Sequence, residues 1–199
     1  ARVQAHIIHD AQRKLAKVKE HPPMNLPVRH RTILRWSLLL VAALLAVVGR
    51  VHARPTSIDV GGTLTVDTTW TKANSPYIVT SSVYVATGVV LTIEPGVLVK
   101  FAQNTGLYVQ GNGQLLAVGT AAEPIVLTSL RDDSHGGDTN GDGTATLPVP
   151  GDWYSISNYG TLSTLHMEHG LVRYARAVEA SGHVRLLDST LEQISGDCL

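Results

Sequence analysis

The residues 138–143, Asp-Thr-Asn-Gly-Asp-Gly, place oxygen-bearing side chains at positions 1, 3 and 5 of a loop and a glycine at position 6. That is the first half of a calcium loop of the EF-hand type, in which a sharp glycine turn curls alternate ligands around one point. The second half departs from the pattern, because position 12 is Val149 where a bidentate glutamate belongs. Asp132, Asp133 and Asp152 are the carboxylates available to close the shell. Five acids crowd residues 132–152 with no Lys or Arg among them, a repulsive arrangement unless a cation or full solvation relieves it. The sequence therefore predicts a structural Ca²⁺ held by Asp138, Asn140 and Asp142, with help from Asp132, Asp133 or Asp152. The competing reading is a flexible Asp/Gly-rich turn region.

Other chemistry is harder to find. The histidines of His166-Met-Glu-His169 point to opposite faces if this stretch is a strand, because strand side chains alternate. His166 then shares a face with Glu168, and His169 with Leu165 and Met167, so a two-histidine chelate is not expected. Cys198 is the only cysteine, which excludes an intrachain disulfide and reads as a small inward hydrophobe. The chain carries no Gly-x-Ser-x-Gly, phosphate-binding loop or Cys-His pattern, and no catalytic residue is assigned.

The elements around the acidic loop read as short strands. Apolar residues alternate in Val83-Tyr-Val85, Leu91-Thr-Ile93, Val97-Leu-Val99, Leu107-Tyr-Val109, Leu115-Leu-Ala117 and Ile125-Val-Leu127, with Gly- and Pro-containing turns between them. Shifted by 24 residues, 82–96 falls on 106–120, so that Tyr84 and Val85 meet Tyr108 and Val109. Val83, Leu91 and Ile93 likewise meet Leu107, Leu115 and Ala117, and Phe101 meets Ile125. A second match, at a shift of 19, brings Leu165, Met167 and Val172 onto Val184, Leu186 and Leu191. Such periods imply stacked repeats that bury a continuous apolar column. The expected fold class is all-β, a parallel β-helix, with Val85, Ile93 and Val109 inward and Tyr84, Thr92 and Tyr108 outward; an antiparallel β-sandwich is the alternative. The acidic loop, 130–152, is an insertion projecting from the stack and pinned at its exit by Pro150-Gly-Asp-Trp153.

The stretches LTIEPGVLVKF, GLYVQGNGQLLAVGTAAEPIVLTS, DDSHGGDTNGDG and PGDW resemble the right-handed parallel β-helix repeat proteins of bacterial envelopes and secretions, a pectate-lyase-like superfamily. The similarity runs from about Asp59 to Leu199 and speaks to fold rather than activity, since the superfamily holds adhesins, stalks, lyases and hydrolases. For the enzymes among them, the resemblance implies Asp residues, often with Ca²⁺, and an Arg or Lys base. Lys100, Arg173, Arg176 and Arg185 are the available cations and read as solvated surface groups. The paired-Asp, Gly-His-Gly and Arg-x-Pro-x-x-Arg motifs of those enzymes are missing, and the Gly-His pair of SGHVRL (181–186) stands alone.

Upstream, Arg29, Arg31 and Arg35 flank an apolar run from Ser37 to Val48 that closes on Val51-His-Ala53. This is the layout of a secretory signal peptide over 24–53, cleaved after Ala53. The run is shorter than the roughly 20 residues that span a bilayer, so no stable membrane span is expected in the mature protein; an uncleaved N-terminal anchor is the alternative. Residues 1–23 read as upstream or disordered sequence, and 54–199 as one incomplete β-helix domain whose terminal coils lie beyond Leu199. From residue 55 onward six Lys and Arg face fourteen acids, a net of −8, which argues against a nucleic-acid partner. The expected function is an exported, cell-surface or secreted structural or binding module, adhesin-like or glycan-binding, with polysaccharide or cell-surface glycan as partner. The alternative is a polysaccharide lyase or glycoside hydrolase with its catalytic coils beyond the C-terminus.

Overall fold

A computed structural model of the chain describes residues 57–196 and Cys198. The signal peptide expected over 24–53 and the segment 1–23 lie outside the described residues. Within them every strand pairing is parallel, with no α-helix and a single 3₁₀ turn at Lys72–Asn74.

The backbone winds as a parallel β-helix with three faces. β1 (Ile58–Leu64), β2 (Thr68–Trp70) and the start of β3 (Tyr77–Val85) make the first coil. The end of β3, β4 (Val90–Ile93) and β5 (Leu98–Phe101) make the second, and β6 (Leu107–Gln110), β7 (Gln114–Val118) and β8 (Ile125–Ser129) the third. The fourth holds β9 (Trp153–Tyr159), β10 (Thr164–Glu168) and β11 (Gly170–Arg173); the fifth holds β12 (Ala175–Ala180), β13 (His183–Leu187) and β14 (Thr190–Glu192). On the first face β1, β3, β6, β9 and β12 stack; on the second β2, β4, β7, β10 and β13; on the third β3, β5, β8, β11 and β14. β3 turns a corner, pairing through Tyr77–Val79 with β5 and through Val83–Val85 with β6. It thereby joins the first and third faces.

The alternation that defines the strands also fills the column. Val85, Ile93 and Val109 are buried together with Leu91, Val99, Leu115, Leu127, Leu165 and Met167 in one apolar cluster. Burying a side chain of this size contributes about 1.5–3 kcal/mol. In the fifth coil the cover thins, and Val184, Leu186 and Leu191 are only half-buried. The 24-residue match holds on the first two faces, where Tyr84 sits on Tyr108, Val85 on Val109 and Leu91 on Leu115, and the 19-residue match holds on the second, where Leu165 and Met167 sit on Val184 and Leu186. Val172 sits on Leu191 on the third face.

The third face corrects one pairing. Phe101 meets Ser129 rather than Ile125, and Val99 meets Leu127. The path from Ala117 to Val126 is four residues longer than that from Ile93 to Leu98, so the shift of 24 becomes 28 there. At the corner between the first two faces the coils come very close. A Cβ on Gly160 would lie 2.4 Å from the carbonyl oxygen of Gly111, and one on Gly182 would lie 2.4 Å from that of Gly160. Only glycine permits this approach.

The assigned register makes a sharp contrast between neighbours in β4. Ile93→Asp puts an unpaired charge in the column and should destabilise the domain by roughly 3–5 kcal/mol. Thr92→Asp faces outward and should cost about 1 kcal/mol or less. Denaturant melts of the two variants check this; equal losses would show the register to be wrong.

Candidate functional site

The acidic loop leaves β8 and re-enters at β9, as its position in the repeat predicts. Its two ends are tied by buried carboxylates. Asp132 accepts hydrogen bonds from the Thr128 hydroxyl (2.6 Å), the Ser134 amide (3.1 Å) and the Ser134 hydroxyl. Arg173 on β11 donates to the same carboxylate at 3.1 Å, and His135 Nδ1 lies 3.2 Å away. Asp152 accepts from the Ser129 hydroxyl (2.8 Å), the Val149 amide (3.2 Å) and Arg131 (3.1 Å). Burial alone would raise the Asp132 carboxyl, but the hydroxyls of Ser134 and Thr128 and the charges of Arg173 and His135 outweigh it and hold its pKa below the ordinary range.

The loop's counter-charge therefore comes from the coils, and two expectations change. Lys100, on β5, is fully buried rather than solvated, and its ammonium donates to the carbonyl of Gly137 at 2.8 Å. Arg173 is largely covered, pairing with Asp132 and with Glu192 at 2.6 Å. Arg176 and Arg185 are exposed, as expected. The first part of the loop also lies down rather than simply projecting: a Cβ on Gly136 would stand 2.4 Å from Leu98 Cδ2.

The rest of the loop curls on itself. Asp138 accepts from the backbone amides of Gly141 (2.6 Å), Asp142 (3.1 Å) and Gly143 (2.9 Å), while Asn140 Nδ2 donates to Asp142 at 2.9 Å. Three buried oxygens, Asp133 Oδ1, Asp142 Oδ1 and Thr139 Oγ1, have no hydrogen-bonding partner. Burial and the nearby charges of Asp138, Asp142 and Asp132 raise the Asp133 carboxyl, against the pull of Lys100. Of the six predicted ligands, Asp132 and Asp152 thus serve as anchors, and Asp133, Asp138 and Asp142 stand within electrostatic reach of one another. Among the described residues no three His, Cys, Asp or Glu side chains converge as a metal site.

The remaining candidates are structural. His166 and Glu168 share the outward face, 3.7 Å apart, while Leu165 and Met167 are buried on the inward one. His169 occupies the corner after β10 with φ 46° instead of following Leu165 inward. Cys198 is exposed, not inward; it bridges Val178 beyond the last full coil, where no further described coil covers it.

A second feature lies on the outer side of the first face. Tyr84 and Tyr108 stack with centroids 5.1 Å apart, and Tyr159 stacks on Tyr108 at 5.6 Å. Tyr108 is outward as predicted, yet its two neighbours leave it only 9% exposed. Next to this ladder opens a groove of about 280 Å³ lined by Tyr108, Tyr154, Ser155, Tyr159, Arg176, Ala177 and Glu179. The hydroxyls of Ser155 and Ser157 lie 2.8 Å apart, and Ser157 donates to Glu179 at 3.0 Å. Burial, with the other tyrosines nearby, raises the Tyr108 phenol against its hydrogen bond with Ser155.

The loop's exit fixes one wall of this groove. Trp153, directly after Asp152, is buried face to face against Phe101 (4.0 Å, 8°) and donates from Nε1 to the Arg173 carbonyl at 2.8 Å. The Tyr154 amide then donates to Thr105 at 2.7 Å, leaving its ring at the groove. The outward alternation of Tyr84 and Tyr108 was visible in the 24-residue match. Tyr154 and Tyr159 follow the insertion, where that period is interrupted.

Comparison with known proteins agrees with this architecture. Residues 62–145 match the family described as the pectate-lyase like beta helix domain, so the chain carries such a domain. It is also 44% identical over 69 residues to Protein bark beetle of Drosophila melanogaster, an insect protein. The match covers 35% of this chain and 2% of that relative's length. No solved structure matches.

The anchor at Asp132 carries a pH signature. A carboxyl whose folded pKa is depressed contributes stability that is fully present above its unfolded value, near 3.9, and is lost as pH falls through the folded value. Asp132→Asn should lower stability by about 2 kcal/mol at neutral pH. The gap to the wild type should close below pH ~4. Thermal melts from neutral to strongly acidic pH test this, and a gap that stays constant would remove Asp132 from the charge balance.

Proposed function

From the presence of a pectate-lyase-like β-helix domain, we propose that the protein is an exported binding module that seats a glycan on the outer side of its first face, with calcium stiffening the loop beside the groove. The observation that carries the reading is the tyrosine-walled groove. The exposed rings of Tyr154 and Tyr159 offer apolar surface to the C–H face of a sugar, while Ser155, Glu179 and Arg176 offer the donors and acceptors that hydroxyl groups require. Its volume is just below the 300–1,000 Å³ or so of ordinary ligand sites, a size that suits one sugar ring of a chain continuing along the face. Glycoside hydrolysis uses two carboxylates flanking the bond. The lining supplies one, Glu179, which already accepts the Ser157 hydroxyl, and this favours binding over cutting here.

Calcium is supported by the chemistry of the loop. Its half-pattern over Asp138, Asn140 and Asp142 supplies hard oxygen ligands, and the partnerless oxygens of Asp133, Thr139 and Asp142 suit a cation that takes six to eight of them. The signal-peptide pattern over 24–53 supports export to the oxygen- and calcium-rich exterior, where sites of modest affinity suffice.

Two measurements test these readings. Calorimetric titration with a panel of neutral and acidic oligosaccharides should find a saturable ligand, and Tyr159→Ala should weaken it about tenfold or more, the loss of one ring contact of roughly 1.4 kcal/mol. Leu162→Ala, at an exposed apolar residue outside the groove, should bind like the wild type. A panel with no binder, or a Tyr159 variant of unchanged affinity, overturns the glycan reading.

For calcium, thermal melts in millimolar Ca²⁺ and in chelator are compared for the wild type and the Asp138→Ala, Asp142→Ala double variant. A site with Kd of about 10⁻⁴–10⁻³ M stabilises by roughly 2.7 kcal/mol at a hundredfold excess. Calcium should raise only the wild-type midpoint, and Mg²⁺ should substitute poorly. Equal shifts in both proteins, or none in either, would leave the loop without a calcium site.

A further inference from the structure

Lys100 is an expensive residue where it stands. On β5 it registers with Ile78 on one side and Thr128 on the other, while its neighbours Val99 and Phe101 fill the column. Its side chain therefore leaves the outer side of the third face, and there the acidic loop closes over it completely. Taking an ammonium out of water is costly even where opposite charges stand near it. An unbranched apolar side chain would fill the same space without that cost. What such a side chain could not do is hold the loop. Lys100 Nζ donates to the Gly137 carbonyl, and its charge faces the otherwise repulsive carboxylates of residues 132–138. Gly136 lies directly against Leu98, one strand position pair away, so the backbone is brought down onto the sheet at this point.

We infer that Lys100 is a tethered counter-ion that latches residues 132–138 onto the third face, fixing the loop's position at the expense of global stability. The latch works from the coil side and requires neither a bound metal nor a ligand. It complements the anchors of Asp132 and Asp152 at the loop's two ends by holding the segment between them.

The test is hydrogen exchange of the full chain in chelator, read separately for residues 132–146 and for the coil strands, together with a thermal melt. Lys100→Met should speed exchange in the loop by about tenfold or more, as expected when a local closed state is lost. The coil strands should keep their protection and the midpoint should stay level or rise. Lys100→Gln, which removes the charge but keeps a polar head able to donate to the Gly137 carbonyl, should loosen the same segment to a smaller degree, and it decides the matter should Lys100→Met fail to fold. Loop protection that survives the substitution overturns the inference, as does a Lys100→Met protein in which loop and coils lose protection together. Because calcium is absent from the measurement and no glycan is added, neither outcome depends on the proposed function.

Discussion

Parallel stacking governs this molecule. Neighbouring strands sit about 4.8 Å apart, so each inward side chain must rest on the one beneath it, and each outward side chain meets its counterpart one coil away. On the inside the rule gives the column of Val85 and Val109, or Leu91, Leu115 and Leu165. On the outside it brings Tyr84 and Tyr108 ring to ring. At the corners it presses backbone on backbone, which is why Gly111, Gly160 and Gly182 follow one another there. Core, ladder and corner are three expressions of one spacing.

The acidic loop is placed by the same stack. A 23-residue excursion with five carboxylates has little apolar surface of its own, so its order must come from what the coils present to it. They present Arg173 and Lys100, and the loop adds its own Arg131. Arg131 and Arg173 are partly exposed and hold the ends through Asp152 and Asp132. Lys100 is fully covered and sits below the segment between the anchors. Charge-assisted hydrogen bonds of this kind are the strong ones, and their cost in desolvation is lowest for the two that keep contact with water.

Loop and groove meet at one point of the chain. Asp152 ends the loop, Trp153 fills the column against Phe101, and Tyr154 reaches the groove. Three successive residues thus face three environments: a buried ion pair, an apolar interior and an open, solvated groove. A shift of the loop's exit would be transmitted to a groove wall through a single buried indole. The ring ladder rests on Tyr84 and Tyr108, which precede the insertion on coils two and three.

The sequence alone determined most of the strands, most of their side-chain faces, the pairing of coils two and three on the first two faces and that of coils four and five on the second and third. All of these depend on local alternation and on a period short enough to repeat within the chain, as Tyr84 over Tyr108 and Met167 over Leu186 illustrate. It also located the acidic loop and its anomalous charge. Only the tertiary structure decided which groups answer that charge. Arg173 is 41 residues from Asp132, and Lys100 is 37 from Gly137; neither separation matches the internal period, because the insertion displaces the fourth coil and a longer corner displaces the third face. Tyr159 reaches Tyr108 across the same break. Contacts between coils act through a few ångströms of space, and where a loop interrupts the repeat, distance along the chain no longer reports on distance in the fold.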